Sequence, residues 1–350
     1  MTAAPYLLLR ADASSAIGLG HVMRCLALAQ AWQDAGGVAE FVSAELPARL
    51  VERLRRERIA HIRVLAVAGS SADAAETLAL AEENHAAWIA VDGYRFGPDY
   101  YEQLRTSGRK VLALDDMVHL DRYPVDVLLN QNLSADPANY AGRVEETTEL
   151  LLGPRFSLLR REFRAAAVTS RASVHAPLRV LMSFGGGDVK NFAGRMLRNL
   201  SCSGRRDLTV VVLAGAANPH VAALRALAES AAFPCEIRVS VEDVAAVMAW
   251  ADVAITAAGS TVWELASMRL PALIGAFEDN QLAGLEALSA VPIFRVWPIE
   301  ELVLRDLTAE VDTLLARPTT FTGFDAQGAT RVVERLQALT VLTQPVLSPA

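Results

Sequence analysis

The 350-residue sequence has only three cysteines, Cys25, Cys202 and Cys235, widely spaced and without a CxxC pair. That argues against a disulfide framework or a cysteine zinc site and fits a reducing, cytoplasmic setting. Long apolar runs are lacking, and none approaches the ~20 residues of a membrane span. The start, MTAAPYLLLRAD, offers a short apolar run before Arg10 and Asp12 interrupt it, too little for a signal peptide. Positive charge is in deficit: 33 Lys and Arg against 40 Asp and Glu leave a net charge of −7 and a pI near 5.5. Non-specific nucleic-acid binding and a polybasic membrane anchor are thereby disfavoured, while a local cationic pocket for a phosphorylated ligand is not. Gly and Pro, 21 and 15 residues, are too few for a collagen-like or low-complexity chain. His61, His85, His119, His175 and His220 form no HxH or HExxH pattern and read as surface or structural residues, so no metal site is expected.

What is present is a hydrophobic fraction of 52%, enough to bury a large core. The length favours two domains. Short Val/Ile/Leu-rich runs alternate with amphipathic stretches. Tyr6–Ala11, Val38–Ser43, Ile62–Val67, Trp88–Asp92, Val111–Asp115 and Val125–Asn130 read as buried strands. A second series is Leu178–Phe184, Leu208–Ala214, Glu236–Ser240, Val253–Ala257, Ala272–Ala276 and Ile293–Trp297, and Ala326–Leu339 reads as a last helix. Intervening helical stretches imply parallel sheets with right-handed crossovers. The expectation is α/β, two doubly wound Rossmann-like domains facing a cleft: residues 1–165 with a catalytic His loop, 166–342 binding the nucleotide, and a flexible tail at 343–350. The Ala/Ser-rich stretch Arg160–Pro177 is the expected linker.

Doubly wound sheets bind ligands at the carboxyl ends of their strands, so the strand-end loops carry the functional reading. The first loop, from Arg10 to Arg24, contains Asp12, Gly18, Gly20 and His21 and opens a long helix. Gly18 and Gly20 permit close backbone approach, and the helix N-terminus favours an anion. His21 is placed to take a proton near neutral pH, with Asp12 to orient it; the plainer alternative is a helix-capping histidine. GLGHVM lacks the third glycine of a dinucleotide fingerprint. The second loop, SFGGGDVKN, puts Gly185, Gly186 and Gly187 at a strand end, a nest for phosphate or simply a glycine turn. In the third, Ser260 and Thr261 open a helix whose Glu264 either accepts from ribose hydroxyls or merely complements the helix dipole. In the fourth, Asn280 and Gln281 offer donors and acceptors to a sugar or phosphate, or cap the helix. Asp92-Gly93-Tyr94, Asp115-Asp116 and Asn130-Gln131-Asn132 also fall at strand ends. Asp115 and Asp116 are adjacent and point opposite ways on a strand, which favours hydrogen bonding over a metal.

Taken together, GLGHVMRCLALA with Arg10 and Asp12, VDGY at 91–94, LDD at 114–116, LLNQN at 128–132, LLGPRFSLLRREF at 151–163, SFGGGD, AAGSTVWELA and EDNQ resemble the UDP-sugar hydrolases of pseudaminic acid biosynthesis. The agreement extends along nearly the whole chain, with Gly93 and Phe156 as mild departures. Those enzymes release UDP from UDP-2,4-diacetamido-2,4,6-trideoxy-β-L-altropyranose and look like smaller relatives of GT-B glycosyltransferases. The resemblance implies that Glu264 takes the ribose, that Gly185–Gly187, Ser260 and Thr261 hold the pyrophosphate, and that Asn280 and Gln281 reach the sugar or its phosphate. It makes His21 the catalytic base, helped by Asp12. Arg10, Gly18, Gly20, Arg24, Asp92, Tyr94 and Asn132 complete the expected substrate contacts. Neither a cofactor nor a metal is expected, and the partners are the UDP-sugar and UDP, in a monomer or weak homo-oligomer. A GT-B transferase, a nucleotide-sugar epimerase and a non-catalytic UDP-sugar-binding protein are the competing readings.

Overall fold

The computed structural model describes residues 4–14, 16–167, 174–277, 281–282, 284–317 and 324–341. The chain divides into two compact units, Met1–Arg161 with Gln327–Ala350, and Glu162–Ala326.

The first unit is a seven-stranded parallel sheet built from β1 (Tyr6–Ala11), β2 (Val38–Ser43), β3 (Ala60–Arg63), β4 (Trp88–Asp92), β5 (Lys110–Leu114), β6 (Val127–Asn130) and β7 (Glu149–Leu152). Its order is β3-β2-β1-β4-β5-β6-β7, so the strand order reverses between β1 and β4. The helices are α1 (Gly20–Asp34), α2 (Ala48–Arg56), α3 (Ser71–Glu83) and α4 (Pro98–Arg105). Strand periodicity sorts the side chains into two layers. Leu7, Leu9, Ala11, Trp88, Ala90, Leu112 and Leu114 pack with α1. Leu8, Ile89, Val91, Val111 and Ala113 pack on the other face with α3 and α4.

The second unit opens with α5 (Arg161–Ala166), a short helix inside the expected linker, whose residues 168–173 lie outside the described residues. It then runs β8 (Leu178–Ser183), α6 (Phe192–Cys202), β9 (Leu208–Ala214), α7 (Val221–Glu229), β10 (Cys235–Val239) and α8 (Val244–Trp250). The series continues with β11 (Val253–Ala257), α9 (Thr261–Ser267), β12 (Ala272–Ala276), α10 (Leu285–Ser289), β13 (Phe294–Pro298), α11 (Ile299–Leu304) and α12 (Leu307–Leu315). Its parallel sheet has the order β10-β9-β8-β11-β12-β13, reversing between β8 and β11.

One element departs from the expected domain limits. The C-terminal helix α13 (Gly328–Val341), expected in the second domain, packs on the first unit. Ala329, Val332, Val333 and Leu336 join the α1 layer, and Trp88 Nε1 donates to the Leu336 carbonyl at 3.1 Å and to Thr340 Oγ1 at 2.8 Å. With the sheet on one side and α13 against it, α1 is buried along almost its whole length. The expected tail at 343–350 lies outside the described residues.

Candidate active site

In each unit the point where strand order reverses opens a crevice at the carboxyl ends of two neighbouring strands. In the first unit those strands are β1 and β4. The β1–α1 loop turns at Gly18, whose φ of +81° is a left-handed conformation that a side chain would strain. The first turn of α1 follows, with no side chain capping it. His21 and Arg24, three residues apart, fall on one helical face. Both are nearly buried, at 7% exposure each.

That face meets the end of β4. His21 Nδ1 lies 2.6 Å from Asp92 Oδ1. Arg24 donates Nη2 to the same oxygen at 2.7 Å and Nε to Asp92 Oδ2 at 2.9 Å. Its remaining nitrogen, Nη1, reaches Asp116 Oδ2 at 2.9 Å, and Tyr94 donates its hydroxyl to Asp116 Oδ1 at 2.7 Å. The Tyr94 ring stands edge-on to the His21 ring, centroids 4.9 Å apart. Asn132 Nδ2 closes the group by donating to the Asp116 carbonyl at 3.1 Å.

Electrostatics fixes the imidazole. Burial alone would raise the pKa of Asp92, but the Arg24 guanidinium and His21 outweigh it and carry the carboxyl down to about 2. Arg24 Nη2 also stands 3.1 Å from Nδ1, but it donates to Asp92 Oδ1 at the shorter 2.7 Å; the ionised carboxylate only accepts, which assigns the proton to Nδ1 and the lone pair to Nε2. Among the described residues Nε2 has no hydrogen-bond partner. Two carboxylates face one guanidinium, leaving one negative charge in excess while His21 is neutral. A proton arriving at Nε2 cancels it. Burial and Asp116 push the Tyr94 phenol well above its ordinary pKa, so it stays a donor.

Asp12 does not orient His21. It accepts from the amides of Ala44 and Glu45 at 2.7 and 3.1 Å and pairs with Arg10 Nη1 at 2.9 Å. Arg10, expected at the substrate, is fully buried and directs Nε and Nη2 to Asp73 at 2.9 and 3.0 Å, with Phe96 beneath its guanidinium. The reason is strand parity. Arg10 shares a face with Leu8, opposite α1, and Asp12 follows it, whereas Asp92 shares the α1 face with Trp88 and Ala90. Asp92 is also in register with Ala11. The same rule separates Asp116, bound to Arg24, from Asp115, which accepts from Tyr140 at 2.7 Å. Asp116 was expected only as a strand-end hydrogen-bonding residue, and Asp73 and Tyr140 were not among the expected site residues. Period-two counting along β5 puts Asp116 on the α1 face; Asp73 lies on α3 and Tyr140 in the Pro137–Tyr140 turn, where no strand parity signals them.

In the second unit, β8 and β11 lie side by side, and Thr256 Oγ1 donates to the Ser183 carbonyl at 2.6 Å. The Gly185–Gly187 turn and the Ser260–Thr261 helix start therefore share one strand-end region. Gly215 at the end of β9 lets the turn settle: a Cβ there would stand 2.1 Å from the Gly186 carbonyl oxygen. The N-terminus of α6 is already occupied. Asp188 accepts from the amides of Phe192 and Ala193 at 2.7 and 2.9 Å, and Asn191 caps Gly194 at 3.2 Å. Amides for an anion thus come from the glycine turn or from α9, where Ser260 makes no side-chain cap. Glu264 is half-buried in the first turn of α9. Gln281 Oε1 accepts from the Phe277 amide at 3.2 Å. Asn280 lies outside the described residues. Among the described residues, no group of three or more His, Cys, Asp or Glu side chains is arranged to hold a metal, and no helix is long and apolar enough to cross a membrane.

Comparison with known proteins finds this fold in solved structures of low sequence identity. No family model matches the chain. The UDP-2,4-diacetamido-2,4,6-trideoxy-beta-L-altropyranose hydrolase of Campylobacter jejuni is 26% identical over 224 residues, covering 64% of this chain and 74% of that protein. The crystal structure of Acinetobacter baumannii MurG superposes with a TM-score of 0.58 at 16% identity, over 97% of this chain and 99% of that one. The S. aureus MnaA–UDP structure gives a TM-score of 0.62 at 11% identity, over 97% and 98%. The expected fold is therefore present: two parallel-sheet α/β Rossmann-like units with the fold of these proteins.

Proposed function

We propose that this protein is an enzyme acting on a UDP-sugar, and that it hydrolyses UDP-2,4-diacetamido-2,4,6-trideoxy-β-L-altropyranose to UDP and the free sugar. One observation carries the reading: a nearly buried imidazole whose Nδ1 is fixed 2.6 Å from an ionised aspartate, with Nε2 unpartnered among the described residues. That is the arrangement of a general base. The hydrolase of Campylobacter jejuni supports the substrate class, and the UDP held in the S. aureus structure supports the nucleotide.

The step balances simply. Water attacks the anomeric carbon as His21 Nε2 takes its proton. The bond from that carbon to the β-phosphate oxygen breaks, its electron pair leaves with UDP, and the anomeric configuration inverts. Asp92, not Asp12, stabilises the imidazolium. Backbone amides of the Gly185–Gly187 turn and of the start of α9 stabilise the departing diphosphate, and Glu264 takes the ribose hydroxyls. The diphosphate is a good leaving group, so a second carboxylic acid of the glycosidase kind is not needed.

The test separates the two units' roles. His21→Ala is expected to lower kcat by about 10²–10⁴ while leaving the Kd for UDP unchanged. Glu264→Ala is expected to weaken UDP binding. Full activity in His21→Ala removes the base; an unchanged Kd in Glu264→Ala removes the ribose contact. A transferase is the second reading, favoured by the likeness to MurG across nearly the whole chain. It predicts that UDP release depends on an added acceptor.

A further inference from the structure

A second pair in the first unit repeats the His21–Asp92 arrangement. His119, in the connection between β5 and β6, turns Nδ1 toward Asp115 Oδ1 at 3.3 Å. Asp115 is buried and also accepts from Tyr140 Oη at 2.7 Å and from the amides of Val118 and Met117 at 3.0 and 3.3 Å. Burial would raise its pKa, but His119, Tyr140 and the Met117 amide outweigh it and hold it below the ordinary value. An accepting carboxylate again sets Nδ1–H and leaves the lone pair on Nε2, which has no partner among the described residues. The His119 side chain is 25% exposed. Both imidazoles stand edge-on to the Tyr94 ring, His21 at 4.9 Å and His119 at 5.6 Å. Asp92 and Asp115 sit on opposite faces of one sheet, so the two pairs converge from either face on one tyrosine.

We propose that His119 is a second ligand-contacting residue of this site, whose Nε2 accepts a hydrogen bond from a hydroxyl or amide N–H on the sugar. The inference rests on the UDP-sugar reading and assigns His119 to binding, not to proton abstraction. Its contact to the carboxylate is 3.3 Å against 2.6 Å for His21, and Asp115 is divided among four donors. Such a shared carboxylate holds the ring in orientation without a close ion-pair partner of the kind Asp92 gives His21. An accessible nitrogen with a fixed tautomer remains suited to recognition.

Three variants distinguish this from a bracing role. His119→Ala is expected to raise KM for the diacetamido UDP-sugar about tenfold with kcat within about twofold. His119→Gln, which carries a polar group where Nε2 stands, is expected to recover most of that loss. His119→Asn, which carries one near Nδ1, is expected not to. An unchanged KM in His119→Ala, or rescue by Asn and not by Gln, overturns the proposal. The imidazole proton resonances of the wild-type protein, titrated with the same UDP-sugar, separate this failure from failure of the parent reading. Turnover with only the His21 signal shifting overturns His119 and keeps the enzyme. No turnover with both signals shifting keeps the shared site and discards hydrolysis. No turnover with a silent His119 discards both.

Discussion

Replacing Asp92 with Asn keeps its size and removes its charge. Asp92 is wholly buried, and both oxygens are engaged, with His21 Nδ1 at 2.6 Å and with Arg24 at 2.7 and 2.9 Å. A pKa of about 2 against the ordinary 3.8 amounts to about 2–3 kcal/mol favouring the carboxylate. The amide leaves Arg24 buried with Asp116 as its one remaining carboxylate, so Asp92→Asn is expected to cost about 3 kcal/mol. For a domain of this size that lowers Tm by roughly 10 °C. The larger effect is chemical. An Asn side chain can donate to Nδ1, releasing the tautomer that leaves Nε2 basic, and the imidazolium loses its counter-ion. We expect kcat to fall by about 10²–10⁴ with UDP affinity unchanged. Denaturant unfolding, UDP release and imidazole nitrogen resonances read the three consequences separately. An Asp92→Asn protein with kcat within twofold of wild type, or with His21 still protonated at Nδ1, would refute the reasoning.

Three further outcomes follow from the same contacts. Asp92 has its pKa depressed by folding, so its stabilisation is complete above about pH 5 and is lost progressively as pH falls through about 2; acid unfolding of Asp92→Asn should lack that component, and an identical acid limb in both proteins counts against the pair. Asp73→Asn removes the partner of Arg10 Nε and Nη2 and is expected to cost about 3–5 kcal/mol while sparing kcat at a temperature where it stays folded; lost activity at unchanged stability would return Arg10 to the substrate. Gly215→Ala sets a Cβ 2.1 Å from the Gly186 carbonyl, so the glycine turn must move; calorimetric UDP binding should weaken, by about tenfold for a hydrogen bond's worth of binding lost, and an unaltered Kd would remove that turn from the diphosphate.

The central strands were legible because each is a short apolar run buried on two faces, and β1, β2, β4, β9, β11 and β12 match the expected limits. β7, only four residues of Glu149–Leu152 after a polar stretch, carries no such run and was not expected. β3 begins two residues earlier than expected and ends at Arg63, where the chain leaves the edge of the sheet. Local pattern identified α13 as a helix but not its unit, because that depends on contacts with α1 and Trp88 over some 250 residues of separation. His21 was legible from its place after Gly18 and Gly20 at a strand end. Its partner was misjudged because nearness in sequence favoured Asp12, while parallel register brings Asp92 beside Ala11. Arg24 was expected at the substrate; three of its nitrogens instead bind Asp92 and Asp116, a role visible only once β4 and β5 are placed beside α1.

The most direct test of His21-driven hydrolysis is a time course by proton and phosphorus NMR in ¹⁸O-water, using EDTA-treated protein and UDP-2,4-diacetamido-2,4,6-trideoxy-β-L-altropyranose. The account predicts UDP free of ¹⁸O, label on the anomeric oxygen, an inverted first anomer, and release slowed by about 10²–10⁴ with His21→Ala. Label in the phosphate of the released nucleotide, a retained anomer, or an intact donor would contradict it.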